Sequence, residues 1–316
     1  MNRYLVTGGA GFIGSHVVDA LVGRGETVRV VDDLSTGKRE NLAEHEKVEF
    51  IEDDLATPGV AIRVVDGISH VMHIAAIPSV PRSVADPIRT HRANVDATLL
   101  LLLAARDAKV TRLVFASSSS IYGDAPTLPK HEEMPPRPRS PYALQKLVGE
   151  EYTRLFHQLY GLDAVALRFF NVYGPRQDPA SAYSGVISLF TAALSEGRVP
   201  TIHGDGEQTR DFTYVSDVAD GVLAACHAPD LGGLVLNVAR GGRTSLNQLY
   251  QVLRDLIGAN IEPRHGTARE GDVRDSQADI TRARRLLGFE SPVTLEEGLR
   301  RTVDWYRAAT PRPSSS

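Results

Sequence analysis

The chain has very few of the residues that form disulfides, metal centres or membrane spans. Cys226 is the only cysteine among 316 residues, which excludes an intramolecular disulfide and a multi-cysteine metal site and makes a reducing cytoplasm the expected setting. No His, Asp and Glu grouping has the spacing of metal ligands, so we expect no catalytic metal. The apolar run TLLLLLAA at 98–105 is too short to cross a bilayer, so we expect no membrane segment.

The chain also lacks an excess of positive charge. Its 35 Lys and Arg residues are outweighed by 39 Asp and Glu residues, and a net charge of −4 offers no chain-wide field for nucleic acid. The remaining composition, 42% hydrophobic and 23% charged, is typical of a soluble globular protein with one large or two modest domains. Residues 311–316 are polar and rich in proline and serine, which predicts a disordered tail.

Short apolar runs alternate with helical patterns through the first half of the chain. The runs predict strands at 3–7, 27–33, 48–54, 70–76, 112–120 and 162–171, and the helices between them include 88–108 and 141–160. This alternation predicts an α/β fold with a Rossmann-like, doubly wound parallel sheet that helices cover on both faces. We expect residues 1–171 to form this domain.

The pattern loosens after Asn171, where loops rich in Gly, Pro and Asp separate shorter elements. Helices are predicted near 185–197, 217–227, 245–258 and 295–308, and we expect 172–310 to form a smaller α/β lobe. The run GLVLNVA at 233–239 is the exception, because we expect it to return to the large sheet. Ligands should then lie between the lobes, above the carboxyl ends of the strands.

A glycine-rich loop joins the first predicted strand to the first helix. The stretch TGGAGFIGSH contains Gly8, Gly11 and Gly14, which permit a tight turn and bring a helix amino terminus close to a pyrophosphate. A glycine-rich turn without a ligand is the alternative, but the strand–loop–helix context favours dinucleotide binding. Asp32 ends the second strand 18 residues after Gly14, where a carboxylate accepts hydrogen bonds from ribose hydroxyls and repels a 2′-phosphate. The glycine loop and the carboxylate of Asp32 together predict that the chain binds NAD rather than NADP.

Several neighbours of this loop have two interpretations each. Asp33 is a candidate cofactor contact or a helix cap, and Arg39 could offset the charge of Asp32. Asp54 and Leu55 follow the third strand, where they would hold an adenine edge or form an ordinary strand-end turn.

A tyrosine and a lysine lie one helical turn apart in SPYALQKL, at 140–147. Tyr142 and Lys146 would share a helix face, although such pairs also occur by chance. Tyrosine is a poor base because its ordinary pKa is roughly 10, but positive charge from Lys146 and an oxidised nicotinamide would favour the phenolate. Tyr142 could then take a proton from a substrate hydroxyl while hydride moves to NAD. The serines of FASSSSIYG end the fifth strand at the same cleft.

The glycine spacing and the Tyr-x-x-x-Lys pair resemble the extended short-chain dehydrogenase/reductase family. Over nearly the whole chain the resemblance is closest to the UDP-galactose 4-epimerases, and among them to the UDP-N-acetylglucosamine 4-epimerase branch. The stretches that carry it are HIAAIPSV (73–80), LRFFNVYGPRQDP (167–179), TIHGDGEQTRDFTYV (201–215) and REGDVRDSQAD (269–279). It implies catalytic roles for Ser118, Tyr142 and Lys146. Besides Tyr142 and Lys146, the implied NAD contacts are Gly8, Gly11, Phe12, Ile13, Gly14, Asp32, Asp33, Ser35, Thr36, Gly37, Asp54, Leu55, Ile74, Ala75, Ala76, Asn94 and Phe169.

The resemblance also implies a UDP-sugar substrate and a tightly bound NAD that is regenerated in each turnover. Hydride would leave C4 of the sugar while Tyr142 takes the hydroxyl proton. The 4-keto sugar would rotate about its diphosphate, and hydride would return to the opposite face. The implied substrate contacts are Pro78, Ser118, Ser119, Ser120, Tyr142, Asn171, Val186, Thr201, His203, Arg210, Arg269, Asp272 and Ser276.

Two positions bear on the sugar. Ser276 falls where galactose-type epimerases often carry a bulky tyrosine beside the C2 substituent, and a serine leaves space for an N-acetyl group. Asp178 falls where glucuronate 4-epimerases carry an arginine that pairs with the sugar carboxylate. We therefore expect UDP-GlcNAc and UDP-GalNAc as substrates, with UDP-Glc and UDP-Gal as further ones.

Other functions stay open. A UDP-glucuronic acid 4-epimerase or decarboxylase is a near alternative, while a dehydratase would carry an Asp-Glu pair where this chain has Ser119 and Ser120. A 4-keto reductase would usually bind NADP, which Asp32 disfavours. A non-catalytic dinucleotide-sensing protein would keep the fold without Ser118, Tyr142 or Lys146. The apolar faces at 96–104 and 147–159 either pack on the sheet or form the homodimer seam that the resemblance implies.

Overall fold

A parallel sheet of seven strands lies at the centre of the computed structural model, which describes residues 3–42, 46–178, 185–267 and 273–309. Its order is β11-β6-β5-β4-β1-β2-β3, and each neighbouring pair is parallel. The predicted doubly wound α/β fold class is confirmed. In chain order the strands are β1 (Arg3–Thr7), β2 (Thr27–Asp32), β3 (Val48–Glu52), β4 (His70–His73), β5 (Arg112–Ser118), β6 (Ala164–Phe169), β7 (Val172–Tyr173), β8 (Thr201–His203), β9 (Thr209–Arg210), β10 (Thr213–Tyr214), β11 (Val235–Val238), β12 (Thr244–Ser245) and β13 (Arg264–Gly266).

Helices cover both faces of this sheet. The α-helices of the described residues are α1 (Phe12–Gly23), α2 (Val60–Val65), α3 (Val80–Ala85), α4 (Pro87–His91), α5 (Ala97–Asp107), α6 (Pro141–Tyr160), α7 (Val186–Ser195), α8 (Val215–His227), α9 (Leu246–Ile257), α10 (Thr281–Leu287) and α11 (Leu295–Ala309). Successive side chains of a strand point to opposite faces. In β1, Tyr4 and Val6 join the core with α1 and α8, whereas Leu5 joins the core with α2, α5 and α6. Burial on both faces explains why the strands are continuous apolar runs.

A third, smaller core gathers elements that follow β6. Phe190 of α7, Leu249 of α9 and Leu299 of α11 pack there with Tyr173 and Phe212. Strand pairs border this core: β7–β10 and β8–β13 are parallel, and β9–β12 is antiparallel. The strand predicted at 233–239 is β11, which leaves this region and pairs with β6. The second lobe is therefore interleaved with the first.

Several predicted strands are too long at their carboxyl ends. The stretch at 112–120 stops being a strand at Ser118, because the Ser118 hydroxyl accepts the Ser120 N–H at 3.2 Å and caps a 3-10 turn at Ser119–Tyr122. The helix predicted at 88–108 consists of α4, a π-helical turn at Arg92–Asp96 and α5. The sequence patterns did not predict α2 and α3, which have only six residues each.

Candidate active site

The glycine loop between β1 and α1 leaves its backbone open to a ligand. Gly8 has a φ of +68°, and a Cβ there would lie 2.6 Å from the Cα of Ala75. A Cβ on Gly14 would lie 2.1 Å from the Gly8 carbonyl oxygen, so α1 packs this closely on the loop only because residue 14 is glycine. Gly11 precedes α1 and has no side chain to occupy the first N–H groups. Those N–H groups and the positive end of the helix dipole suit a pyrophosphate.

Asp32, at the end of β2, ties the glycine loop to the loop that follows it. Its carboxylate accepts the N–H of Ala10 and the N–H of Leu34, each at 2.9 Å, and the residue is only 8% exposed. Burial raises the pKa of Asp32, whereas these backbone hydrogen bonds lower it. Gly37 is buried against the same carboxylate. The carboxylate of Asp32 is thus held in place beside the glycine loop.

Charged residues near this end of the cleft have partners within the chain. Asp54 pairs with Arg92 at 3.0 Å. The guanidinium of Arg39 stacks on the ring of Phe50, 4.6 Å from its centroid. Stacking there gives Arg39 a structural role and argues against the alternative that it offsets the charge of Asp32.

Most residues predicted to contact NAD line one cleft at the carboxyl edge of the large sheet, where doubly wound folds bind ligands. Gly37 and Asn94 lie behind its wall. Asn94 accepts the Ile77 N–H at 2.8 Å and donates to Gln145 at 2.9 Å, so it shapes the wall through Ile77. The predicted residues that line the cleft are Gly8, Gly11, Phe12, Ile13, Gly14, Asp32, Asp33, Ser35, Thr36, Asp54, Leu55, Ile74, Ala75, Ala76, Pro78, Tyr142, Lys146 and Phe169.

Tyr142 lies in the first turn of α6, on the wall of this cleft. The helix begins at Pro141 after Ser140, whose hydroxyl accepts the Ala143 N–H at 3.2 Å. Burial raises the pKa of the Tyr142 phenol, and a hydrogen bond with Ser118 lowers it. The amino-terminal position adds the positive end of the helix dipole, which also favours a phenolate.

Lys146 lies one turn further along α6 and is buried. Its ammonium group donates to the Ala116 carbonyl at 2.7 Å. Burial lowers the pKa of Lys146 to about 7, and the charge of Glu150 acts in the opposite direction. The structure therefore brings Ser118, Tyr142 and Lys146 together at one end of the cleft.

The remaining serines predicted to contact substrate belong to the turn after β5. Ser120 donates its hydroxyl to the Ser118 oxygen at 2.9 Å, and Ser119 lies between them in the chain. This arrangement directs Ser120 toward Ser118.

A second cleft, of about 620 Å³, lies between residues 79–81 of the first lobe and the second lobe. Its volume is in the range of small-molecule sites. Consecutive residues line the two clefts, because Pro78 lines the first cleft and Ser79 lines the second. The predicted substrate residues that line the second cleft are Asn171, Val186, Thr201, His203 and Arg210.

Ser276 is half-buried close to this second cleft. Its N–H donates to the Thr209 carbonyl at 3.1 Å, which places it beside Arg210, the next residue along β9. Arg269 and Asp272 lie outside the described residues, so their placement stays a prediction.

Comparison with known proteins identifies the family. A model of the NAD dependent epimerase/dehydratase family matches residues 4–239, which include the glycine loop, Asp32, Tyr142 and Lys146. The chain belongs to that family. The cleft beside the glycine loop, and the end of it that holds Tyr142 and Lys146, therefore lie inside the matched region.

Individual relatives match over almost their full length. The UDP-glucose 4-epimerase of Mycolicibacterium smegmatis is 43% identical over 310 residues, which cover 96% of this chain and 98% of that protein. The structure of the UDP-N-acetylglucosamine 4-epimerase from Methanobrevibacter ruminantium in complex with UDP-N-acetylmuramic acid has a TM-score of 0.94 and 40% identity, covering 98% and 99% of the two chains. The structure of the UDP-glucose 4-epimerase from Thermotoga maritima with UDP-glucose has a TM-score of 0.93 and 40% identity. The match covers 97% of this chain and 99% of that chain. These matches confirm the predicted family, the class of NAD-dependent UDP-sugar 4-epimerases and the cofactor, NAD.

The structure contains a buried ion pair close to Lys146 that the sequence analysis did not predict. Arg168 of β6 donates to both carboxylate oxygens of Glu150 on α6, at 2.8 and 2.7 Å, and Ser117 donates to the same carboxylate at 2.5 Å. The two charged side chains are 5% and 2% exposed. The sequence did indicate that such a pair exists, because AVALRF is a buried strand that contains an arginine, and a buried charge requires a partner.

His73 has a structural role in this epimerase/dehydratase. Its ring nitrogens lie 2.7 Å from the Thr7 hydroxyl and 2.9 Å from the Thr98 hydroxyl. Burial lowers its pKa to about 3, so the ring is neutral at neutral pH. Among the described residues, no group of His, Cys, Asp and Glu side chains could hold a metal ion, and no helix is long and apolar enough to span a membrane.

Proposed function

We propose that this epimerase/dehydratase interconverts UDP-GlcNAc and UDP-GalNAc by epimerisation at C4, and that it also accepts UDP-Glc and UDP-Gal. One observation carries the proposal: Tyr142 lies in the NAD cleft, bonded to Ser118 and one turn from Lys146, close to the adjoining second cleft. The acetamido preference is supported by the short side chain of Ser276 beside the second cleft. A relative named for UDP-N-acetylglucosamine at 40% identity is consistent with it.

The NAD cleft fits its cofactor on structural grounds. The glycine loop offers N–H groups to the pyrophosphate, Asp32 is held in place for the adenosine ribose, and Ile74, Ala75 and Phe169 line the inner wall. NAD held by the glycine loop and Asp32 would supply the hydride chemistry at C4 of the sugar. We propose that residues 1–171 with β11 form the cofactor-binding part, and that 172–310 otherwise bind the nucleotide sugar.

Tyr142 would move the proton of the reaction. Its phenolate oxygen would accept the proton of the C4 hydroxyl and later return it, while Ser118 holds the same hydroxyl by a hydrogen bond. Lys146 would keep the phenolate accessible by its positive charge, since a neighbouring cation lowers the pKa of a phenol. Lys146 is buried and Tyr142 is half-buried, so bulk water would have limited access to the transferred proton.

The second cleft would bind the UDP part of the substrate. Arg210, and in our proposal Arg269, would neutralise the diphosphate, for which the planar guanidinium is well suited. Asn171 would donate to a phosphate oxygen, and Asp272 would accept from the uridine ribose. Val186, Thr201 and His203 line the portion of the cleft that we assign to uridine. Pro78, Ser119 and Ser120 would border the sugar.

The first experiment is to incubate the purified protein with UDP-GlcNAc, without added cofactor, and to separate UDP-GlcNAc from UDP-GalNAc. We expect interconversion from the NAD that the protein retains. The variant Ser276→Tyr should lose activity on UDP-GlcNAc at least tenfold more than on UDP-Glc, because the bulky ring would meet the acetamido group.

Each other outcome supports a different function. Activity on UDP-Glc but not on UDP-GlcNAc would contradict the acetamido preference, and activity on UDP-glucuronic acid alone would replace the substrate. Loss of water or of carbon dioxide from the sugar would indicate a dehydratase or a decarboxylase. Tight NAD binding with no turnover of these three UDP-sugars would favour a dinucleotide sensor.

We further propose that the protein is a homodimer joined through α5 and α6. Leu144, Leu155 and Leu159 on α6 are 52%, 37% and 67% exposed, which is an apolar face that lacks a cover within the described chain. Light scattering should give twice the 34.3 kDa chain mass, and Leu155→Glu with Leu159→Glu should give the chain mass itself. Ile62→Glu on α2 is the matched control, and a monomeric wild-type protein would refute the proposal.

A further inference from the structure

Asp211 is a fully buried carboxylate among the segments that carry the predicted substrate contacts. It follows Arg210 in the chain and lies between β9 and β10, with 0% of its surface exposed. Ionised side chains are rarely buried to this extent unless they hold other groups in place.

Its hydrogen bonds join three segments. The Asp211 Oδ2 atom accepts the N–H of Gly241 and the N–H of Ala278, each at 3.0 Å. Its backbone carbonyl accepts the side-chain N–H of Asn171 at 3.3 Å. Ala278 lies two residues after Ser276. Asp211, which follows Arg210 in the chain, therefore contacts the segments of Asn171, of Gly241 and of Ser276.

The surroundings make this carboxylate costly to keep ionised. Burial raises the pKa of Asp211 to about 6, whereas the two N–H donors and the charge of Arg240 act in the opposite direction. Within the described chain, Asp211 Oδ1 has no hydrogen-bond partner. Asp275 and Asp279, on the segment of Ala278, are instead bonded to Thr209 and to Thr281.

We propose that Asp211 is a positioning residue for nucleotide-sugar binding, which holds the three segments in the arrangement that the UDP group requires. The inference rests on the proposed function of the second cleft. Asp211 does not act on the reacting atoms. Without it, the Gly241 and Ala278 N–H groups would lose their common acceptor, and the segments of Arg210 and Ser276 would lose their register.

The effect should be confined to the second cleft. Of the described residues that line the NAD cleft, none comes from 209–213, 239–243 or 273–280. Changes at Asp211 should therefore weaken binding of UDP and raise the KM for the UDP-sugar, while the NAD content and kcat at saturation stay near those of the wild type.

The test compares Asp211→Ala, Asp211→Asn and the matched control Asp279→Asn, which removes a charge from the same segment. Calorimetry measures the Kd of UDP for each, and kinetics give KM and kcat. The Ala variant should raise the Kd by about 10- to 100-fold, since each hydrogen bond to a charged group contributes strongly. The Asn variant keeps one neutral acceptor oxygen and should raise the Kd of UDP by about three- to tenfold. The control should stay within twofold.

A Kd for UDP that is unchanged in both Asp211 variants would overturn the inference. So would a fall in kcat and NAD content as large as the rise in KM, because that pattern belongs to general unfolding. If Asp211→Ala does not fold, the isosteric Asn variant decides by the same criteria. A wild-type protein that binds NAD but not UDP would instead refute the proposed function of the second cleft.

Discussion

Replacing Tyr142 with phenylalanine is expected to lower kcat by roughly 1,000-fold, because a positioned general base contributes on the order of 100- to 10,000-fold. The change removes only the hydroxyl that, in our proposal, moves the substrate proton. The phenyl ring would still fill its place on α6, so we expect the NAD content and the Kd of UDP to stay within twofold of the wild type. Steady-state epimerisation assays with calorimetry on the same preparation measure all three quantities.

The matched control for this prediction is Tyr152→Phe. Tyr152 is on the same helix, with its ring 6.5 Å from that of Phe156, and it is outside the cleft. Its loss of a hydroxyl should change kcat by less than twofold. A Tyr142→Phe enzyme that kept more than a tenth of the wild-type kcat would show that another group takes the proton, and Lys146, with its lowered pKa, would then be the first candidate.

Breaking the buried pair of Glu150 and Arg168 should cost about 3–5 kcal/mol of unfolding free energy, because removing one partner leaves the other charge buried and uncompensated. The variant Glu150→Ala would leave the guanidinium of Arg168 without its two hydrogen bonds. Urea unfolding monitored by circular dichroism measures this loss of unfolding free energy. The double variant Glu150→Leu with Arg168→Met should recover most of it, since no unpaired charge remains.

An exposed pair on the same helix supplies the control. Glu151 and Arg154 lie 2.6 Å apart with side chains that are 52% and 42% exposed. Exposed pairs contribute little, so Glu151→Ala should cost less than about 1 kcal/mol. If Glu150→Ala cost no more than Glu151→Ala, the buried pair would have no special role in stability, and its position near Lys146 would need another explanation.

The parts of the site that could be predicted from the sequence are those with local signals. Gly8, Gly11 and Gly14 lie together in one loop, and Tyr142 and Lys146 are separated by one helical turn. The alternating apolar runs gave the order of strands and helices, and hence the edge at which the cleft lies. Strand ends were predicted too long, because side-chain caps such as that of Ser118 end a strand without changing its apolar pattern.

Contacts between distant segments could not be predicted in the same way. The carboxylate of Asp211 meets Gly241 and Ala278 only after the second lobe has folded, and nothing in the spacing of these residues indicates it. Asn94 likewise was predicted as a cofactor contact, whereas its side chain bonds Ile77 and Gln145. For Arg168 a signal existed, in the form of a charge within an apolar strand, but the identity of its partner required the fold.

The pairing of β11 with β6 has a consequence for the order in which the protein can form during synthesis. β6 is buried throughout, and one of its edges pairs with β11, whose residues Val235–Val238 come after the elements from β7 to α8 in the chain. Until residue 238 has left the ribosome, that edge presents unpaired backbone groups next to apolar side chains, which is the kind of surface that associates with other chains. The large sheet is therefore closed by a strand that is translated about 65 residues after its neighbour β6, once the elements from β7 to α8 have been made.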